Sequence, residues 1–82
     1  MKNTEIIEKA NFQLCSVPDS EGLVLEISKG EEPAFLEVRV DENGVQWFRF
    51  FSNENHVAIT LEDMEKAIEI AKREVVNTSI DM

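Results

Sequence analysis

Apolar and polar residues alternate along most of the first two thirds of this chain, and the alternation predicts strands. From Asn11 to Val17, Phe12 and Leu14 alternate with Gln13 and Cys15. Pro18-Asp19-Ser20-Glu21-Gly22 then makes a turn. From Leu23 to Ser28, Leu23, Leu25 and Ile27 share one face, and Lys29-Gly30-Glu31-Glu32-Pro33 forms the next loop. From Ala34 to Asp41, Leu36, Val38 and Val40 fall on one face and Phe35, Glu37 and Arg39 on the other. A fourth run spans Val45 to Ser52. Short connections favour an antiparallel meander.

The loop Asp41-Glu42-Asn43-Gly44 decides the register of the last hairpin. A two-residue Asn43-Gly44 turn would pair Val38 with Arg49 and leave an arginine on the apolar face. A three-residue loop with Gly44 in the left-handed bulge position shifts the pairing by one. Val38 then meets Phe48 and Leu36 meets Phe50. On the other face Glu37 meets Arg49, Arg39 meets Trp47, and Phe35 meets Phe51. Every pair is then chemically sensible, so the three-residue loop is expected.

Helical periodicity is expected at both ends. Asn3 to Ala10 reads as a short helix, with Ile6, Ile7 and Ala10 at helical spacing and Glu5 and Glu8 near its positive end. His56 to Ile59 is a short extended piece. Thr60 opens a long helix to about Val76; Asp63, three positions on, resembles the acid of a capping box, where Asp is a weaker choice than Glu, and Asn77 can cap the end. Leu61, Met64, Ile68, Ala71 and Val75 form its apolar stripe, and Ile70 lies opposite. Glu62 with Lys66, and Glu69 with Arg73, have the spacing of ion pairs. Thr78 to Met82 is read as a loose tail.

The expected fold class is α+β, a single domain over residues 1–82. It is a four-stranded antiparallel meander sheet with a long C-terminal helix packed on one face and a short N-terminal helix (α-β-β-β-β-α). The helix should cover Leu23, Leu25, Ile27, Leu36, Val38, Phe48 and Phe50. The open face should carry Val24, Phe35, Trp47 and Phe51 among Glu26, Glu37, Arg39 and Arg49. Cys15 and Val17 join it if Phe12 and Leu14 point inward.

Composition narrows the function mainly by exclusion. Eighty-two residues leave little volume for a deep catalytic pocket beside a core. Seventeen acidic residues against eight Lys and Arg give a net charge of −9, which argues against direct nucleic-acid binding. No apolar run is long enough for a membrane span, and no signal-peptide pattern opens the chain. One cysteine excludes an internal disulfide and a cysteine-cluster metal site, and cytoplasmic residence is the default. The three glycines make no phosphate loop, and Asp41-Glu42-Asn43-Gly44 lacks the acid ladder of a calcium loop. His56 has no catalytic partner in view, and Cys15 has no cationic neighbour to lower its pKa. No enzyme, cofactor or metal is therefore expected.

What remains is the open face. Aromatic residues with arginine, ringed by acids, have the composition of protein-interface cores. Phe35, Glu37, Arg39, Trp47, Arg49 and Phe51 are the expected protein-binding residues. The acids would steer a basic partner, for instance a nucleic-acid-binding protein. By analogy of size and acidity, an inhibitor or immunity-type protein of a phage or mobile element fits. The alternative is a homodimer that pairs through its open sheet face.

Overall fold

A computed structural model describes residues 3–52 and 55–77. Its elements are β1 (Thr4–Ile7), β2 (Asn11–Cys15), β3 (Val24–Ser28), β4 (Leu36–Val40), β5 (Gln46–Phe50), β6 (His56–Ile59) and α1 (Leu61–Glu74). Strands β2-β3-β4-β5 form one antiparallel sheet in chain order, the expected meander. No helix among the described residues is long and apolar enough to cross a membrane. The expected tail, Thr78 to Met82, lies outside the described residues.

The N-terminal helix is not there. Thr4–Ile7 is a strand, paired in parallel with β6 from Thr4↔His56 to Ile7↔Ile59. Three of its four residues are β-branched, which disfavours so short a helix and suits a strand. Glu5 and Ile7 turn toward the protein while Thr4 and Ile6 face water. That is a period of two, which the Ile6-Ile7 doublet disguises.

The β4–β5 hairpin has the three-residue loop. Asp41 N–H donates to Val45 O at 2.9 Å and Gly44 N–H to Asp41 O at 3.0 Å. Gly44 has φ +81°, the left-handed conformation that a side chain would strain. The Asp41 carboxylate accepts from the N–H of both Asn43 and Val45 at 2.9 Å. The register follows as expected: Leu36↔Phe50, Glu37↔Arg49, Val38↔Phe48 and Arg39↔Trp47.

Two apolar rungs therefore cross the inner face, Phe12–Ile27–Leu36–Phe50 and Leu14–Leu25–Val38–Phe48. Only their middle members are sealed. Leu25, Ile27, Leu36 and Val38 are buried under α1, whereas Phe48 and Phe50, expected beneath the helix, are open to water. The reason is width. A helix is about 10 Å across with its side chains and strands are about 4.8 Å apart, so one helix roofs the two central strands.

The helix also presents a different stripe from the expected one. Ala67, Ala71 and Val75 are buried, with Met64 and Ile70 partly buried against the same core. Leu61 is 76% exposed, and Ile68 is exposed too. The expected stripe is thus turned by roughly 60°, on 3.6 residues per turn. Two alanines let the backbone approach the sheet closely, and that outweighs burying the larger Leu61 and Ile68. Ile70, expected opposite the core, packs against it.

Both ends of α1 are tied to the sheet by side chains. Thr60 caps the helix by accepting from Asp63 N–H at 3.0 Å. Asp63 does not close a capping box; its carboxylate accepts from Ala10 N–H at 2.9 Å, fastening the approach to β2. The helix ends at Glu74, earlier than expected. Gln46 Nε2 donates to Ala71 O at 2.8 Å and Val75 O at 2.7 Å, satisfying carbonyls that a helix end leaves free. Asn77 does not cap the helix; it donates to Asp41 O and Glu42 O and pins the hairpin turn. Lys66 lies over the Phe12 ring at 5.1 Å and Arg73 pairs with Glu74, in place of the expected i,i+4 partners.

Gly22 is pressed against the chain that follows the helix. A Cβ there would collide with Val76 O and stand 3.2 Å from Val40 Cγ1. Gly22→Ala is expected to lose about 1–3 kcal/mol through overpacking against backbone. A urea midpoint equal to that of the wild type would show that the chain yields there freely.

Candidate protein-binding face

The outer face of the sheet is built on a polar rung, Gln13–Glu26–Glu37–Arg49, that crosses all four strands. Two carboxylates stand opposite each other in it, which is unfavourable unless each is compensated. Glu37 is compensated by two arginines. Its Oε1 accepts from Arg39 Nε at 2.6 Å and from Arg49 Nη1 at 3.3 Å. Arg39 Nη1 also meets Asp19 at 3.5 Å, which draws the β2–β3 loop toward this face. Hydrogen bonding to Glu37 holds the Arg39 guanidinium above its ordinary pKa. Glu26 accepts from Cys15 Sγ at 3.3 Å.

This bonding buries part of the expected contact centre. Glu37 is 3% exposed and Val24 is fully buried, so neither lies open to a partner. The arginines fold over Glu37 and close that part of the face. Phe35 and Phe51 are half-buried, joined by Phe51 N–H donating to Phe35 O at 3.1 Å. Arg39 stands level with Trp47 in the register, but it is Arg49 that lies over a ring, that of Phe51, at 5.3 Å.

Trp47 remains the open centre, 59% exposed and clear of the helix. Its Nε1–H donates to Asp41 Oδ2 at 2.9 Å, so the indole is held at its edge while much of its surface meets water. It lines a shallow depression together with Asp19, Glu21, Asp41 and Glu42, with Arg39 and Arg49, and with Phe48. This is an aromatic and cationic centre with an acidic rim.

Other candidate chemistry stays dispersed. Burial and then the hydrogen bond to Glu26 push the Cys15 thiol up, away from the thiolate a nucleophile needs. His56 is on β6, where its N–H donates to Asn3 O at 2.9 Å, and its side chain is exposed at the margin of a depression shared with Phe50 and Met64. Among the described residues, no three His, Cys, Asp or Glu side chains are grouped to hold a metal ion.

All five residues of β5 are exposed, and Phe50, on the inner face, is 71% so. Sequence reasoning missed Phe48 and Phe50 as surface residues. The available signal was that β5 ends the meander and so must be an edge strand. Comparison with known proteins finds no matching family, curated protein or solved structure, so this face is read from its own geometry.

Two outcomes follow for Glu37 and Asp41. Glu37→Ala is expected to cost about 2 kcal/mol, because it strips two charge-assisted bonds from a buried position. Arg49→Ala, at the exposed end, should cost less than about 1 kcal/mol. Equal losses in urea denaturation would mean that Glu37 is not the hub.

The Asp41 carboxyl is held below its ordinary pKa, first by the Trp47 indole N–H and then by the Val45 and Asn43 amides. Its folded-state pKa is depressed. The stabilisation it gives is therefore complete above the unfolded value and is lost as pH falls through the folded one. Trp47→Phe should move the Asp41 titration upward, as followed by the NMR shift of its carboxyl carbon. An unmoved titration would assign the effect to the backbone amides alone.

Proposed function

We propose that this chain is a small non-enzymatic protein-binding module whose contact centre is the outer surface of β5 around Trp47. The observation that carries this reading is the pinned, largely exposed indole set between Arg39 and Arg49 inside a rim of Asp19, Glu21, Asp41 and Glu42. Tryptophan and arginine dominate interface hot spots, and a rigid aromatic loses little entropy on binding.

The rim and the net charge of −9 favour a basic partner, because the summed field attracts it and the rim aligns it. An inhibitor that occludes a basic surface, such as that of a nucleic-acid-binding protein, is the kind of module this suits. The cell interior is the proposed setting, since the lone cysteine is a free thiol. Glu37 acts beneath the surface, holding both arginines in place, and Phe35 and Phe51 support them.

The test is capture from an extract of cells that express the chain. Immobilised wild-type protein should retain a basic protein that elutes as salt rises, because the rim contacts are screened. Trp47→Ala should retain at most about a tenth as much, the scale of one hot spot, with an unchanged circular dichroism spectrum. Equal capture by both proteins would remove this face from consideration.

A further inference from the structure

The outward edge of β5 is a second surface beside the Trp47 rim, with Phe48 bordering both. Val45 and Phe51 exchange backbone hydrogen bonds with β4 through Asp41 and Phe35. Alternation then turns the N–H and C=O of Gln46, Phe48 and Phe50 away from β4, and no described strand pairs on that side. Proteins usually guard such an edge with a lysine, a proline, a bulge or an inward charge. Gln46–Phe50 carries one charged side chain, Arg49, and that is bound to Glu37 on the outer face.

The inner face beside this edge is a groove. Lys66 on one flank of α1 reaches Phe12 of β2, so the opposite flank faces β5. At 3.6 residues per turn that flank carries the exposed Leu61 and Ile68, while the depression against Phe50 is lined by His56, Val57, Ile59 and Met64. An unpaired backbone edge thus runs beside an unroofed apolar strip.

Charge and register identify the occupant. Residues 43–53 are the longest acid-free stretch of a chain with 17 acids, and they carry Arg49. A basic foreign segment is drawn to the acids of the Trp47 rim, whereas the backbone edge of Gln46–Phe50 itself offers its cations no carboxylate. A second copy would meet the least self-repulsion there. We propose that two copies join edge to edge through β5, antiparallel about a two-fold axis at Phe48, making one eight-stranded sheet.

That arrangement pairs all five residues of the strand. Phe48 meets the second copy's Phe48, Gln46 meets its Phe50, and Trp47 meets its Arg49. Centring on Trp47 leaves Phe50 unpaired, and centring on Arg49 sets two guanidiniums face to face. The two-fold keeps both helices on one side, so Phe48 and Phe50 of each copy close over one shared strip. Both Trp47 rims lie on the other side, where the proposed partner surface is doubled.

Sedimentation equilibrium of the full chain tests this, with dimer expected to predominate by about 100 µM, an ordinary affinity for a small interface. Phe50→Asp alters an exposed side chain and should raise the dissociation constant at least about tenfold, the scale of one buried interface aromatic. A second variant tests the register. In a Cys15→Ser background, Phe48→Cys should cross-link two chains on oxidation, since opposed residues of an antiparallel pair lie about 5.5 Å apart. Ile6→Cys in that background, more exposed than Phe48 but on β1 rather than on this edge, should not.

A wild type that is monomeric throughout overturns the proposal. So does a dimer indifferent to Phe50→Asp, or cross-linking as ready through Ile6→Cys as through Phe48→Cys. A dimer that pairs through its outer faces would show the second of these results. Capture of a basic partner through Trp47 is scored separately and survives each of them.

Discussion

Everything on the surface of this protein depends on the turn between Asp41 and Val45. Asp41 closes it with its backbone and binds two amides with its carboxylate, while Gly44 takes the left-handed conformation. The turn fixes which β5 side chains point where, and a slip of one residue would exchange the faces. Trp47 and Arg49 would go inward and Phe48 and Phe50 outward, leaving Glu37 without one of its two arginines. The same aspartate bonds the Trp47 indole, so the group that sets the register also orients the most exposed aromatic side chain of the outer face. Gln46 and Asn77 extend that control to the helix, joining its last carbonyls and the chain beyond to the hairpin.

A second constraint is the mismatch in width between one helix and four strands. The core forms where α1 lies over β3 and β4, and each edge strand is left to its own resources. On β2, Lys66 extends over Phe12 and covers part of its ring. On β5 no comparable cover appears among the described residues, and Phe50 is 71% exposed. The narrow helix contact, set by Ala67 and Ala71, leaves Leu61 and Ile68 exposed and off the core. The choice of small residues on the helix and the exposure of aromatics on the sheet are one fact seen from two sides.

The parts legible in the sequence are those in which local chemistry decides. The meander could be read because each strand alternates and each connection is short. The hairpin register could be read because only the three-residue loop gave Glu37 an arginine and Val38 an aromatic partner. β1 was illegible because its partner, His56–Ile59, lies some fifty residues away, and four residues carry no decisive period of their own. The helix face was misjudged because Leu61 and Ile68 outweigh Ala67 on any hydrophobic count, whereas packing rewards close approach. The depth of Glu37 depends on two arginines folding over it, which no pairwise reading of strands reveals.

These constraints give β5 two distinct surfaces. Its outer face is charged, with Arg49 tied to Glu37 and Trp47 tied to Asp41, so water can stay close without cost. Its inner face and free edge offer aromatic rings and unpaired amides, which water covers poorly. A charged, prearranged face favours fast and salt-sensitive recognition, whereas an apolar edge favours association that salt does not screen. The first suits the proposed basic partner, and the second the proposed second copy. Alternation along five residues is enough to hold both, because a strand sends successive side chains to opposite sides.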